Sequence, residues 1–300
     1  MLSVLNTNKP FRLRIPNELL LLLVAIFWGT SYGLTKNALF FSSVLMFIAI
    51  RFGLTFLFLL PWMIRDCYQD RSQHWYYALP LGGILCAIFF CEVYGVALTS
   101  AANAGFLISL SMVFTAIGET LYHRHPVNPK LAMFALMSVL GVTLLTEAYD
   151  WHGGINQGDI LILAAALLRA VMVIVTKRLL QHKAISTLTL TGIQSLVVAS
   201  IAVIMLVSSM KGESVTIPSS IEFWLITLYL VVFCTLFAFF VQNHAVRHTS
   251  PTKVALLMGS EPLFAALFGF IWLQESFILM QMGGACLIMV SVVLTSLRRD

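Results

Sequence analysis

The chain has 300 residues, of which 59% are hydrophobic and only 10% are charged. A soluble domain carries roughly 25% charged residues and needs polar side chains to cover its surface. The composition therefore excludes a cytosolic enzyme, a disordered chain and a disulfide scaffold, and it indicates a protein whose solvent is lipid.

Ten apolar segments follow one another along the chain, each close to the roughly 20 residues that a helix needs to cross a bilayer. Because the runs are long and continuous, they favour helices over the short alternating strands of a membrane β-barrel. We expect an all-α integral membrane protein with ten transmembrane helices. The predicted spans are 18–38, 43–63, 75–97, 100–121, 130–147, 159–180, 186–209, 220–242, 250–272 and 277–296.

The N-terminus resembles a secretory signal, because three basic residues precede the first apolar run. They are Lys9, Arg12 and Arg14. The run continues to Leu34 and no small-residue cleavage motif follows it, which predicts a retained first span. Residues 1–17 are then a cytoplasmic tail.

Lys and Arg predict the orientation, because cytoplasmic loops of membrane proteins are rich in these residues. With a cytoplasmic N-terminus, Lys36 and Lys211 fall outside, and Arg51 and Arg169 lie within spans. The other fourteen of the 18 basic residues then lie on the cytoplasmic side. We expect both termini in the cytoplasm and a location in the inner (plasma) membrane. The net charge of +5 reflects this topology and not a nucleic-acid partner.

The chain also matches itself at two offsets, 150 and 141 residues, and the first offset serves three consecutive spans. Because each half contains an odd number of spans, the second half has to enter the membrane from the opposite side, as in many transporters with inverted repeats. We expect two such repeats, 18–147 and 159–296. Weak alignment of any two apolar helices is the alternative. Matched positions include Thr99-Ser100 with Thr249-Ser250, Glu92 with Gln242, Ser111 with Glu261, Thr35-Lys36 with Thr176-Lys177 and Trp28 with Arg169.

Several motifs resemble the EamA family of the drug/metabolite transporter superfamily. They are Trp28-Gly29-Thr30-Ser31-Tyr32 with Lys36, Arg51-Phe52, Tyr94–Ala104, Ser260-Glu261-Pro262-Leu263-Phe264-Ala265-Ala266, Glu275, and Gln281-Met282-Gly283-Gly284. The resemblance implies ten helices in two inverted five-helix bundles around a cavity. It also implies outward transport of small metabolites, often amino acids or related compounds, across a bacterial inner membrane. Met112 stands where the family usually has a proline, so we expect a straighter helix there.

Charged residues at mid-span are the first candidates for a substrate cavity, since each costs roughly 2.5–3.5 kcal/mol at the bilayer centre. They are Arg51, Glu92, Arg169 and Glu261. Helix–helix ion pairs that only fix the packing are the alternative. Glu261 is the most informative because Pro262 frees the carbonyl of the preceding turn and predicts a helix kink. Glu261 could hold a proton or a cationic amino group, or Pro262 could merely bend the helix.

Further cavity candidates are aromatic or neutral polar residues. Trp28 and Tyr32 lie four apart on one helix face and either line the cavity or pack in the core. Tyr94 and Gln242 complete the repeat-related set around Glu92, and Asn103 is a weaker candidate because such residues also serve as hydrogen-bonding contacts between helices. The Gly29-x-x-x-Gly33 spacing is typical of close helix packing.

These features favour a secondary transporter with alternating access that exports its solute, with proton coupling as an option. A passive channel or facilitator is the alternative, and an intramembrane enzyme is a more distant one. The sequence has no Walker motif, no catalytic signature and no metal-ligand spacing, so we expect no catalytic residues, no metal and no cofactor. The expected partners are a small-molecule substrate and membrane lipid, with the oligomeric state left open.

Overall fold

A computed structural model describes residues 16–123, 129–146, 155–180, 183–209, 217–272 and 278–297. Within these ranges all regular elements are helices. They are α1 (Asn17–Ala38), α2 (Val44–Tyr68), a 3-10 turn (Trp75–Tyr77), α3 (Ala78–Leu98), α4 (Ala101–Ser109), α5 (Ser111–His123), α6 (Pro129–Leu145), α7 (Gln157–Leu180), α8 (Thr187–Ser209), α9 (Ile221–Tyr229), a π segment (Leu230–Phe237), α10 (Ala238–His248), α11 (Pro251–Met258), α12 (Glu261–Trp272) and α13 (Leu279–Ser296). The predicted tail lies outside the described residues up to position 15.

Eight helical segments are long and apolar enough to cross a membrane, and each coincides with a predicted span. The predicted fifth span corresponds to α6, which has 17 residues. The predicted ninth span is divided between α11 with 8 residues and α12 with 12. The prediction of an all-helical membrane protein is confirmed, whereas ten crossings stay a prediction.

Large apolar side chains cover much of the outer surface. Leu57 on α2 is 59% exposed, and Ile204 on α8 is 66% exposed. Apolar patches of this kind are rare on soluble monomers but are the normal surface of a protein in lipid. The hydrophobic exterior therefore agrees with the multi-pass membrane assignment.

Small residues allow the closest helix contacts. A side chain at Gly284 of α13 would come within 2.5 Å of the Gly141 carbonyl of α6. Ser138 and Ser291 share a hydrogen bond of 2.9 Å across the same helix pair. Without a hydrophobic force between helices in lipid, such close approach and polar contact are what hold membrane helices together.

The contacts at the helix ends show that α1 and α7 run antiparallel. At one end Lys36, in the last turn of α1, lies near Thr99 at the end of α3, and Thr99 binds Asp159 at the start of α7. We call this the Lys36 end. At the opposite end, called the Lys177 end, the last turn of α7 contacts Thr249 at the end of α10, and the start of α11 contacts the start of α1.

The predicted fourth span is interrupted, so the expectation of a straight helix at Met112 is wrong. α4 ends at Ser109, whose hydroxyl donates to the Phe106 carbonyl at 2.6 Å. The Leu110 amide then bonds to the Leu107 carbonyl, at 3.2 Å, and not to Phe106 as a continuing α-helix would require. A serine hydroxyl that competes for a backbone carbonyl can end a helix without a proline.

The predicted ninth span is also interrupted, before Pro262 and not at it. α11 ends at Met258, and the Ser260 hydroxyl donates to the Leu257 carbonyl at 2.7 Å. Pro262 is the second residue of α12, a position that tolerates proline because its amide has no intrahelical partner. The kink expected at Pro262 is therefore a helix break two to three residues earlier.

Candidate functional site

Arg169 of α7 lies between two carboxylates that are more than 70 residues away on either side in the sequence. Its guanidinium donates to Glu92 of α3 at 2.9 Å and to Glu261 of α12 at 3.0 Å. The Tyr32 hydroxyl of α1 donates to the second oxygen of Glu261 at 2.9 Å. The planar guanidinium suits this arrangement because it offers several N–H donors in a fixed geometry. We call Tyr32, Glu92, Arg169 and Glu261 the charged cluster.

The helix break places Glu261 in the charged cluster. Glu261 is the first residue of α12, where free amides and the helix dipole favour a negative charge. Its side chain is only 4% exposed. With both acids ionised, two carboxylates face one guanidinium, so the charged cluster carries one negative charge in excess.

Gly29 brings α1 against α12 at this point. A side chain there would lie 2.8 Å from both the Glu261 carbonyl and the Ala265 amide. The backbone approach that only glycine permits therefore sets the distance over which Tyr32, one turn later, reaches Glu261.

Trp28 forms the next layer beside Arg169. The guanidinium carbon of Arg169 lies 4.5 Å from the centre of the Trp28 ring, within the range of a cation–π contact. The Trp28 ring nitrogen donates to the Cys234 carbonyl at 2.8 Å, inside the π segment. A π segment widens the helix and leaves carbonyls without their usual partners, so it provides the acceptor that fixes the Trp28 ring.

A cavity adjoins the charged cluster, and about 490 Å³ of space, open solvent included, lies within its lining. Most of its lining is apolar, and a few polar groups, among them the ion pair of Arg169 with Glu261, are set into it, an arrangement common in small-molecule sites. The lining residues are Trp28, Leu85, Ile88, Phe89, Ser111, Thr115, Arg169, Met172, Val173, Phe239, Gln242, Ala255, Met258, Gly259 and Glu261.

The cavity extends from the charged cluster toward the Lys177 end. Along α1 the lining residue Trp28 is one turn nearer that end than Tyr32, and along α7 Met172 and Val173 follow Arg169 in the same direction. On the other side of the cluster Tyr32 packs into a second apolar group that is closed to solvent. Its buried members are Tyr32, Val96, Ala104, Leu107, Ile108, Ile162, Ala165 and Ala166.

Positions that match in the two sequence halves meet around this cavity. Trp28 contacts its counterpart Arg169, and the rings of Phe89 and Phe239 lie 5.9 Å apart. Ser111 and Glu261 both line the cavity. Glu92 belongs to the charged cluster, and its counterpart Gln242 lines the cavity wall.

Gln242 has an unusual environment for a buried amide. The residue is 7% exposed, and its side-chain oxygen accepts no hydrogen bond from the part of the chain that the structure describes. A buried polar atom without a partner costs about 1–3 kcal/mol. Gln242 lines the cavity but the oxygen itself is buried, so a solute supplies the missing donor only when the amide turns toward it.

Three predicted cavity residues lie elsewhere. Arg51 is behind Phe89, with its guanidinium 5.0 Å from that ring and its Nε donating to Thr235 at 2.8 Å. Tyr94 follows Glu92 by two positions, which is about 200° around the helix. It therefore lies on the other face of α3, where it packs beside Phe90. Asn103 is in the first turn of α4, about 12 Å along the span from Ser111.

Sequence reasoning missed Ser111 and the two phenylalanines of the cavity wall. The signal was available, because Ser111 matches Glu261 and Phe89 matches Phe239 at the offset of 150 residues. Alignment with a residue of the other half was therefore a better guide to the cavity lining than the polarity of the side chain.

Comparison with known proteins agrees with this architecture. An uncharacterized transporter of Archaeoglobus fulgidus is 27% identical over 287 residues, covering 95% of this chain and 87% of that protein. The uncharacterized transporter YcxC of Bacillus subtilis is 24% identical over 221 residues, covering 72% and 71%. A solved structure titled "Crystal structure of protein" has the same fold, with a TM-score of 0.76, 16% identity and coverage of 93% and 95%. Since the model of the EamA-like transporter family matches residues 16–147 and again 156–297, the chain belongs to that family.

Proposed function

We propose that this membrane transporter is a secondary exporter of small metabolites, such as amino acids or related compounds, across the bacterial inner membrane. The solute occupies the cavity beside the charged cluster and crosses by alternating access. Membership of the EamA-like transporter family and relatives that are named transporters support transport as the activity. The cavity supports a small-molecule substrate.

The proposed architecture is ten membrane-spanning helices in two inverted repeats, 18–147 and 159–296, with both termini in the cytoplasm. Two observations support it. The family model matches the chain twice in succession. In addition, Lys36 binds the Thr99 carbonyl and its counterpart Lys177 binds the Thr249 carbonyl, at opposite ends of antiparallel helices. Inverted repeats produce such paired contacts.

The cavity favours an amphipathic solute with a hydrogen-bond donor. Ile88, Met172 and Phe239 offer an apolar wall, while Arg169, Gln242 and Glu261 present polar groups together. The unpartnered oxygen of Gln242 is the observation that carries this proposal, because it matches an N–H or O–H donor on the solute. An amine suits the site further, since with both acids ionised the charged cluster carries one negative charge in excess, which a cationic group or a proton would neutralise.

Gln242→Leu separates a binding role from a structural one. The variant removes a buried polar atom without a partner, so we expect its unfolding temperature to equal or exceed that of the parent. Transport should nevertheless fall at least about tenfold, as for the loss of roughly 1.4 kcal/mol of binding. Solutes would first be found by comparing metabolites of cells with and without the protein, then measured in proteoliposomes.

Gln194→Leu is the matched control. Gln194 is fully buried on α8, away from the cavity, and its oxygen accepts from Asn243 at 3.0 Å. Its replacement should lower stability and leave transport per folded molecule intact. Parental transport by Gln242→Leu would contradict the proposal.

Coupling and carrier behaviour need a second experiment. Glu261→Gln keeps the size of the side chain but removes its charge, so we expect loss of transport driven by a proton gradient. Glu222→Gln, an exposed acid at the start of α9, is the control. Unaltered transport in Glu261→Gln would remove Glu261 from the mechanism. Stimulation of efflux by solute on the opposite side distinguishes a carrier from a passive channel.

A further inference from the structure

Arg51 is a buried cation that forms no ion pair with the residues that the structure describes. It lies in the first half of α2, inside a membrane-spanning helix, and is 3% exposed. Its Nε donates to the neutral hydroxyl of Thr235 at 2.8 Å. A charged residue inside a span is costly in lipid and normally pairs with another group or marks a binding site. Arg51 therefore lacks the partner that its position requires.

The two terminal nitrogens of Arg51 are not sealed into the protein. Neither Nη1 nor Nη2 has an acceptor in the described part of the chain. Even so, neither belongs to the unpartnered polar atoms that are fully enclosed, as the side-chain nitrogen of Gln194 is. A small space therefore adjoins the charged end of Arg51, with room for a water molecule or an ion of similar size.

Two aromatic rings separate this space from the cavity beside the charged cluster. The guanidinium carbon of Arg51 lies 5.0 Å from the ring centre of Phe89 and 5.9 Å from that of Phe52. The two rings meet edge to face with their centres 4.5 Å apart, and Phe89 also lines the cavity. The rings attract the cation through their π faces. They offer no lone pair, so the terminal N–H groups remain free to donate to a ligand.

The charged cluster does not supply the missing acceptor. Glu92 and Glu261 both pair with Arg169, at 2.9 and 3.0 Å, and neither pairs with Arg51. Attraction to the cluster over a longer distance lowers the cost of the Arg51 charge but leaves its N–H groups without acceptors. A bound anion satisfies both requirements, because a guanidinium forms strong hydrogen bonds to negatively charged acceptors.

We propose that Arg51 holds a small anion, a carboxylate group or a halide ion, in the space behind Phe89. The space limits the size of the ligand, because Phe52, Phe89 and Thr235 are at most 3% exposed. The positive charge selects an anion, and the planar guanidinium matches a carboxylate. The anion is either a free ion or the carboxylate end of a longer solute that reaches past Phe89. This site differs in sign from the charged cluster, whose excess charge favours a cation.

Thermal unfolding of the full-length protein in detergent tests the site. The buffer contains gluconate, an anion too large for the space, and chloride or formate replaces it stepwise at constant ionic strength. We expect the unfolding temperature to rise once the ion exceeds its Kd, by about 5 °C at a roughly hundredfold excess. An unfolding temperature of the parent protein that is independent of chloride and formate would mean that only water fills the space, and it would overturn the proposal.

Arg51→Met should abolish the rise, because it removes the cation that holds the ion. Arg65→Met is the matched control, since it removes the same charge from an exposed position on the same helix and should keep the parental rise. A general salt effect acts on both variants alike. An equal rise in Arg51→Met and in the parent would therefore also contradict the site. The measurement on the parent decides the question without any variant, should Arg51→Met fail to fold.

Flux in proteoliposomes separates the two sources of the anion. The probe is the solute found by the metabolite comparison, measured with chloride or with gluconate. If the carboxylate of the solute fills the site, chloride competes with it and lowers the flux. If a free ion fills the site, chloride raises the flux or leaves it unchanged. The unfolding assay needs no flux, so a protein that binds chloride but transports nothing would refute the proposed function and leave the anion site standing.

Discussion

Replacing Arg169 by methionine tests whether the charged cluster is held together by one guanidinium. The variant keeps an unbranched apolar stem but leaves Glu92 and Glu261 without a cation between them. Removing one partner of a buried ion pair costs about 3–5 kcal/mol. Arg169 serves two carboxylates, at 2.9 and 3.0 Å, so we expect a loss at the upper end of that range.

Thermal unfolding of the purified protein in detergent measures this loss. A destabilisation of about 3–5 kcal/mol corresponds to an unfolding temperature lowered by roughly 5–15 °C for a chain of this size. Arg51→Met is the matched control. Arg51 is more deeply buried than Arg169 but forms no ion pair with the described residues, so its replacement should cost clearly less.

Removing the two acids as well should reverse most of the loss. The triple variant Arg169→Met, Glu92→Gln and Glu261→Gln has no charge left in the cluster, and neutral replacement of a whole buried ion network is often close to neutral in stability. A single Arg169→Met variant as stable as the parent would refute the reasoning, and so would a triple variant no more stable than the single one.

Two glycine comparisons follow from the helix contacts. Gly29→Ala should destabilise the protein by about 1–3 kcal/mol, because the new methyl group meets backbone atoms of α12 at 2.8 Å. Gly33→Ala, one turn later in open space, should be neutral or slightly stabilising in the same unfolding assay. Gly284→Ala should likewise lower the unfolding temperature, since a methyl group there meets the Gly141 carbonyl at 2.5 Å, whereas Gly283→Ala should not. Equal effects within either pair would contradict the packing.

The helical membrane architecture was predictable from sequence because it depends on local properties. In lipid each backbone amide has to bond within its own segment, so a long apolar run determines a helix wherever it lies. Eight predicted spans were found in this way, whereas the family was identified from its sequence motifs. The Gly29-x-x-x-Gly33 spacing predicted close packing but not that only Gly29 contacts another helix.

The breaks at Ser109 and Ser260 were less predictable. A proline near Glu261 indicated one of them, but the other occurs without proline, beside a serine whose hydroxyl bonds a nearby carbonyl. Which carbonyl a serine hydroxyl bonds depends on its side-chain rotamer, and a hydropathy pattern does not predict that rotamer.

Sequence by itself thus determined the helical membrane class, the family and the residues whose charge had to be compensated inside the bilayer. Only the tertiary structure decided which of them meet. Tyr32 and Glu261 are 229 residues apart and touch because Gly29 admits the α12 backbone. Arg169 reaches two acids while Arg51 lies behind an aromatic ring, since helix rotation and approach, and not polarity, set the partner of each side chain.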